Sequence, residues 1–235
     1  MKKLSIIIPA YNEERSISQI LGKIHQTRLI GETEKEILII DDGSKDRTAE
    51  KCRQFMQAHP DLDIHYHLQP FNQGKGAALR TGIALATGDW IIIQDADLEY
   101  DPEDYNPLLQ WVIENNAKVV YGSRFLKPSN KHSYLRFYLG GRLVTFVTNL
   151  LYGQHLTDEP TCYKFFDAQF LKSIPLKCQG FEFCPEVTAK VCKKGIKIHE
   201  IPINYYPRSI AEGKKINWKD GLEAIWTLLK YRFKN

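Results

Sequence analysis

Five short apolar runs constrain this chain more than any other feature. They are LSIIIPAY (Leu4–Tyr11), EILIIDDGS (Glu36–Ser44), DIHYHLQP (Asp63–Pro70), DWIIIQD (Asp89–Asp95) and KVVYGSR (Lys118–Arg124). Each is too short for a buried helix and rich in β-forming residues, so each reads as a strand. Helical patterns lie between them: about 13–29, a segment carrying Ala49 to Ala58 behind the caps Ser44 or Asp46, the small-residue stretch Gly74–Ala86, and a helix opening at Pro102 and reaching about Asn115. Repeated strand–helix units predict an α/β fold with a mainly parallel central sheet flanked by helices. Ligands of such sheets sit beyond the carboxyl ends of the strands. One rim should therefore collect Pro9, Tyr11, Asn12 and Glu13 after the first strand, and Asp41, Asp42 and Ser44 after the second. Gly74, Lys75 and Gly76 follow the third, Asp95, Asp97 and Glu99 the fourth, and Gly122, Ser123 and Arg124 the fifth.

The second half is less regular. Residues 131–152 mix basic and apolar side chains and read as a helix; Asp158–Phe166 reads as a strand or extended loop. A helix ending at Gly195, an alternating strand stopping near Pro207 and a last helix from about Trp218 to Tyr231 follow. Residues 207–215 are a candidate closing loop. The opening MKKLSIIIPAYNEE meets Glu13 after a run of about six apolar residues, too short for a leader's apolar core. No stretch has 18 uninterrupted apolar residues, so a cytoplasmic protein is expected. The five cysteines form no C-x-x-C pair, which argues against a disulfide framework or a zinc knuckle.

Charge divides the chain. Residues 1–117 hold 12 Lys+Arg against 19 Asp+Glu, a balance of −7; residues 118–235 hold 20 against 9, a balance of +11. The acidic half could hold a metal, and the basic half could hold phosphates or approach an anionic surface.

The densest acids end the fourth strand. Asp95 and Asp97 would point the same way if extended geometry persisted. Paired carboxylates suit a hard divalent cation, Mg²⁺ or Mn²⁺, whose remaining positions a diphosphate can fill. Asp101, Glu103 and Asp104 flank Pro102, where a helix start favours acids. Asp41 and Asp42 could accept hydrogen bonds from a ribose or base, or could close a local turn. Lys75 between glycines offers either an anion-friendly helix start or a plain turn; the stretch is no complete phosphate-loop motif.

IIIPAYNEE, IIDDGSKDRT, NQGKGAALRTG, QDADLEY and VYGSRF occur in that order, and together they resemble glycosyltransferase family 2 with its GT-A, Rossmann-like fold. TDEPTCYKFF, GFEFCPEVTAKV and IPINYYPRSIAEGKKINWKDGL resemble the branch of dolichyl-phosphate mannose and glucose synthases and bacterial polyprenyl-phosphate enzymes. The resemblance implies one glycosyltransferase domain over 1–235: a nucleotide-sugar half (1–124) and a mixed acceptor half (125–235). It implies that Pro9, Tyr11, Glu13, Asp41 and Asp42 surround base and ribose, that Asp95 and Asp97 ligate the metal with Glu99 nearby, and that Ala96 lines the pocket by its backbone. It places Arg124 and Arg136 near an acceptor phosphate, and Arg208 with Lys214 or Lys215 over the donor diphosphate. Where many relatives carry S-G-F after an acid, this chain reads Asp158-Glu159-Pro160-Thr161-Cys162-Tyr163.

The implied reaction moves a hexose from UDP-glucose or GDP-mannose to a polyprenyl or dolichyl phosphate, with inversion. A phosphate monoester, with a second pKa of about 6, needs no base. A saccharide hydroxyl would need one, and Asp158 or Glu159 are the candidates. A lipid acceptor implies peripheral contact with the inner face of the membrane. Tyr134–Tyr152 and the last helix, with Trp218, Leu222, Ile225, Leu229 and Phe233 three and four apart, are either interfacial or core-packing. Other classes fit less well. A D-x-D phosphatase needs its acids after the first strand, where Pro9-Ala10-Tyr11 stands. A nucleotidyltransferase needs a glycine-rich, arginine-containing loop there. A nucleic-acid binder should carry a recognition motif with its basic face, and none occurs. A saccharide-modifying glycosyltransferase and a non-catalytic nucleotide-sugar module remain as alternatives.

Overall fold

The computed structural model describes residues 2–131, 134–208 and 218–234. The predicted strands form with trimmed ends: β1 (Lys3–Ala10), β2 (Glu34–Asp41), β3 (Ile64–Leu68), β4 (Trp90–Ile93) and β5 (Val119–Ser123). The helices between them are α1 (Ile17–Gln26), α2 (Thr48–Ala58), α3 (Lys75–Leu85) and α4 (Tyr105–Asn115), the last entered through a 3-10 turn at Pro102–Asp104. Then come α5 (Leu135–Tyr152), β6 (Lys164–Asp167), α6 (Ala168–Lys172), α7 (Phe183–Lys193), β7 (His199–Pro202) and α8 (Trp218–Phe233).

One sheet of seven strands runs β3-β2-β1-β4-β6-β5-β7. All neighbours are parallel except β6, which is antiparallel to both β4 and β5. Apolar residues of β1 and β4, Ile6 to Ile8 and Ile91 to Ile93, are buried on both faces, as a helix-covered parallel sheet requires. The small-residue character of α3 has a packing cause. A Cβ on Gly82 would collide with the side chains of Ile7 and Ile40, so the helix axis lies close on β1 and β2.

The reversed direction of β6 decides where the second half contributes. Its amino end lies at the rim where the parallel strands finish, so Asp158–Tyr163 arrive beside the carboxyl ends of β4 and β5. The Gly122 N–H donates to the Tyr163 carbonyl at 2.7 Å across that edge. Apart from the main core, α5, α7 and α8 share a smaller cluster of Val144, Ala189, Leu228 and Tyr231.

Candidate active site

The first two rim loops are laced together. The Asn12 N–H donates to Ser44 Oγ at 2.9 Å, and its side-chain oxygen accepts from the Lys45 N–H at 2.8 Å. The Glu13 N–H donates to Thr48 Oγ1 and the Glu14 N–H to Asp46. These bonds fix Pro9, Tyr11 and Glu13 along the wall of a cavity of about 880 Å³. Asn12, at a left-handed φ of 55°, is a rim residue whose lacing role its sequence position alone did not disclose.

Asp41 and Asp42 differ in what they do. Asp41 is fully buried; its oxygens accept from the Ser44 N–H at 2.8 Å and the Tyr66 hydroxyl at 2.6 Å. It closes the local turn and is not among the residues that line the cavity. Asp42 lines the cavity while accepting from the Gln73 and Gly74 N–H groups at 2.8 Å each. Those bonds also decide the glycine turn. Gly74 has φ of 95°, and a Cβ there would overlap the Gln179 carbonyl; the Ala77 N–H donates to that same carbonyl. The amides of Gln73, Gly74 and Ala77 are thus committed to protein acceptors, as a plain strand-to-helix turn requires. Its contribution to the cavity is Lys75.

The acid motif is not extended. β4 stops at Ile93, and Asp95–Glu99 form a turn with Leu98 at φ of 64°, a conformation rarely adopted by a branched residue. Gln94 anchors this turn: its buried amide accepts from the Tyr105 and Tyr163 hydroxyls at 2.5 and 2.6 Å and donates to the Asp95 carbonyl at 2.9 Å. The same-face argument for Asp95 and Asp97 therefore fails, and a turn brings them to one cavity instead. Lys75 Nζ stands 2.6 Å from Asp95. Burial acts to lower the lysine's pKa, but the adjoining Asp95 outweighs it and the net shift is upward. Asp97 accepts from Arg208 at 2.8 Å. Burial, then the charges of Asp95 and Glu99, push its pKa up to about 7 against the pull of Arg208.

Glu99 is a latch. It accepts from the Arg208 N–H at 2.8 Å and the Tyr205 hydroxyl at 3.2 Å, while its carbonyl accepts from the Tyr206 N–H. Its carboxylate holds the Tyr205–Arg208 segment over the acid turn while also lining the cavity. Arg208 also approaches Glu13 at 4.0 Å, and its buried Nε has no hydrogen-bond partner. Lys214, Lys215 and the rest of the predicted closing loop beyond Arg208 lie outside the described residues.

On the other side, Asp158 is fully buried and bound by Arg124 through Nε and Nη2, both at 2.7 Å, and through the Arg124 N–H at 2.9 Å. Glu200 holds the strap behind it, accepting from the Thr157 and Asp158 N–H groups. Asp158 is thus committed to Arg124 and is not among the residues that line the cavity. Arg124 lies over the Tyr205 ring at 5.1 Å and lines the cavity. Glu159 also lines it; one oxygen accepts from Thr188, and burial raises its pKa. Arg136, stacked on Phe137 at 4.9 Å, guards the mouth at the start of α5. Cys162, Cys184 and Phe181 complete the wall; no spacing in the sequence marked them.

The donor set beside Asp97 suits a hard divalent cation. Two carboxylates face one cavity, one of them is held well above its ordinary range by burial and then by its like-charged neighbours, and oxygen donors match Mg²⁺ or Mn²⁺. A separate group, Glu36, Asp63 and His65, clusters within ligand distance at the opposite edge of the sheet. There Lys3 already bridges Asp63 at 2.9 Å, and Glu36 is satisfied by Ser5 and Thr87.

Comparison with known proteins gives this rim a context. The family model "Glycosyl transferase family 2" matches residues 5–174. A dolichyl-phosphate β-glucosyltransferase of Trichomonas vaginalis is 29% identical over 97% of this chain and 72% of its own length. A UDP-N-acetylglucosamine–dolichyl-phosphate N-acetylglucosaminyltransferase of Methanococcus voltae is 29% identical over 92% and 91%. Glucosyl-3-phosphoglycerate synthase from Mycobacterium tuberculosis, solved with Mn²⁺, UDP and phosphoglyceric acid, superposes with a TM-score of 0.69 at 18% identity over 99% of this chain and 79% of that one. At that identity the likeness speaks to the fold, which is GT-A.

Proposed function

The chain belongs to glycosyltransferase family 2, and from that premise we propose that it transfers a hexose or N-acetylhexosamine from a nucleoside diphosphate sugar to a polyprenyl or dolichyl phosphate. One observation carries the reading. A single cavity joins the turn of Asp95, Asp97, Lys75 and Arg208 to an apolar groove lined by Leu143, Val144, Leu222 and Ile225. A diphosphate suits the first end and a lipid chain the second. Two relatives whose names specify dolichyl phosphate support the acceptor class.

The residues divide the work. Asp42, Tyr11 and Pro9 form the wall for the nucleoside. Asp95 and Asp97 are the residues that would hold Mg²⁺ or Mn²⁺, which when bound would offset charge on the diphosphate. Arg208 and Lys75 place positive charge at the same end, where the bond from the anomeric carbon to the diphosphate oxygen breaks and its electron pair stays on that oxygen. Arg136 and Arg124 orient the acceptor phosphate, whose oxygen forms the new bond to the anomeric carbon. That oxygen is already ionised near neutral pH, with a second pKa of about 6, so no proton has to move. The commitment of Asp158 to Arg124 fits such a base-free attack.

The test is a matrix of UDP-glucose, UDP-N-acetylglucosamine and GDP-mannose against polyprenyl phosphate and free sugars, with Mg²⁺ or Mn²⁺, read by product mass. Transfer of one sugar to polyprenyl phosphate is expected. Transfer to a free sugar alone would move the reading to a saccharide acceptor, with Glu159 as the available base. No turnover of any donor would leave only a binding module.

A further inference from the structure

We propose that Glu159 fixes the sugar being transferred: its second carboxylate oxygen accepts a hydrogen bond from a pyranose hydroxyl of the nucleotide-sugar donor. This role presupposes the nucleotide-sugar reading of the cavity and is independent of the acceptor. Glu159 is fully buried yet lines the cavity. Its backbone is pinned, since its N–H donates to Thr145 Oγ1 at 3.0 Å and its carbonyl accepts from the Lys164 ammonium. Its first oxygen accepts from Thr188 Oγ1 at 2.8 Å. A hydroxyl has one proton to give, so the Tyr121 hydroxyl, 2.9 Å from Thr188 Oγ1, must donate to it in turn. This oriented chain leaves Glu159 Oε2 without a hydrogen-bond partner. Lys164 does not supply one, because its ammonium lies over the Tyr121 ring at 3.9 Å and donates to the Glu159 carbonyl. A buried carboxylate oxygen left unmet is costly, so a substrate that brings a donor to it binds more tightly.

The position of Glu159 selects a sugar hydroxyl as that donor. The sugar must lie between the diphosphate end of the cavity, with Asp95, Asp97, Lys75 and Arg208, and the end marked by Arg124 and Arg136. The strap that carries Glu159 joins those ends. Asp158, one residue before it, forks onto Arg124. Three residues after it, the Cys162 thiol donates to the Ile93 carbonyl at 3.5 Å, where β4 stops before the acid turn. The Cys184 thiol ties the same strap to α7 through the Thr161 carbonyl at 3.8 Å. Other acids of the cavity are already engaged: Asp95 by Lys75, Asp97 by Arg208, Asp42 by two amides, and Glu99 by Tyr205 and the Arg208 N–H. A carboxylate between two phosphate sites would repel either phosphate, so its partner is the neutral group between them. Among buried side-chain atoms of the described residues that lack a partner, Glu159 Oε2 is the one carboxylate oxygen, while Arg208 Nε is a donor at the diphosphate end. The orphan donor thus stands where anionic oxygens arrive, and the orphan acceptor where hydroxyls arrive.

Titration calorimetry on the full chain with Mn²⁺ tests this role. The probes are UDP, GDP, UDP-glucose, UDP-N-acetylglucosamine and GDP-mannose, with the 3-, 4- and 6-deoxy analogues of whichever sugar nucleotide binds most tightly. One deoxy analogue should bind the wild type about 10- to 100-fold more weakly than its parent, the range for a hydrogen bond to a charged group. Glu159→Ala should weaken the parent by a similar factor and leave it equal to that analogue. The free nucleotide should bind both proteins alike. If Glu159→Ala fails to fold, Glu159→Gln keeps the shape of the side chain, and the gap between parent and analogue should shrink. Undiminished discrimination in the folded variant, or equal binding of parent and every analogue by the wild type, overturns the proposal. So does a matching loss of free nucleotide and sugar nucleotide, which marks a merely structural role. A loss confined to kcat, with all binding unchanged, overturns it as well, because Glu159 would then act as a base. Absence of any sugar-nucleotide binding removes the proposal together with the donor reading. Failure of the acceptor reading looks different: the discrimination persists while no prenyl phosphate is glycosylated.

Discussion

Asp95 and Asp97 stand two residues apart yet keep different company. Asp95 has Lys75 at 2.6 Å, and Asp97 shares Arg208 with the wall formed by Glu13. Replacing either by Asn keeps the shape and removes an anionic oxygen, so transfer should fall about 10²-fold or more in steady-state assays. Retention of wild-type turnover in both variants would remove these residues from the reaction. Asp158 calls for a different expectation. Its partner Arg124 is largely buried, and an arginine left there without its carboxylate costs about 3–5 kcal/mol. Asp158→Asn should therefore lower the unfolding midpoint and weaken acceptor binding together, because Arg124 loses its bidentate anchor. A variant that kept full stability and lost only the chemical step would restore the idea of a base at this position. The sequence suggested a metal role for the first pair but not the anchoring of Arg124 by Asp158. The identities of the acids were visible there, but the turn at Leu98 and the fork of Arg124 onto Asp158 depend on contacts between distant segments.

Elements are linked here by buried carboxylates as much as by apolar packing. Asp104 stands where the sequence suggests simple favour for acids at a helix start, and Asp101 does fill that part, accepting from the Glu103 N–H. Asp104 instead reaches β7's exit, accepting from the Asn204 N–H at 2.7 Å and its side-chain amide at 2.8 Å. That bond steadies the segment running to Tyr205 and Arg208. Burial lifts the Asp104 pKa from 3.8 to about 6, although the Asn204 bonds oppose the shift. A raised folded pKa means that folding favours the protonated form. The contribution is full below about pH 3.8 and lost as pH rises through about 6. Between those values the wild-type unfolding free energy should decline relative to Asp104→Asn, measured by denaturant titration at each pH. Parallel pH profiles for the two proteins would show that Asp104 does not titrate in this window. The strands and helices themselves were legible because isoleucine-rich runs and helical spacing are local signals. What escaped was the reversal of β6, which no local pattern encodes, and with it the arrival of Asp158–Tyr163 at the rim.

At the scale of the molecule, the acidic and basic halves of the sequence are not two bodies. Both supply strands to one sheet, and the cavity lies where they meet. The rim was legible as a convergence of loop residues because a parallel sheet places its strand ends together. The closure by Glu99 and Arg208 was not, since it joins residues more than a hundred positions apart. This assembly concentrates unlike demands at Asp97. Its carboxyl, held at about 7, resists ionisation because Asp95 and Glu99 are close and water is sparse. The sign is that of a raised folded pKa: stability from this group is present near pH 3.8 and lost as pH rises through about 7. A divalent cation bound by Asp95 and Asp97 would oppose that loss, and at low pH it would have to displace a proton first. The rise in unfolding temperature produced by Mn²⁺ with UDP should therefore grow from about pH 6 to about pH 8. Asp97→Asn should flatten this pH dependence, and chelation should return the wild type to its unliganded midpoint. A shift that ignored both pH and the Asp97 substitution would place the cation elsewhere, with the cluster of Glu36, Asp63 and His65 the first location to probe.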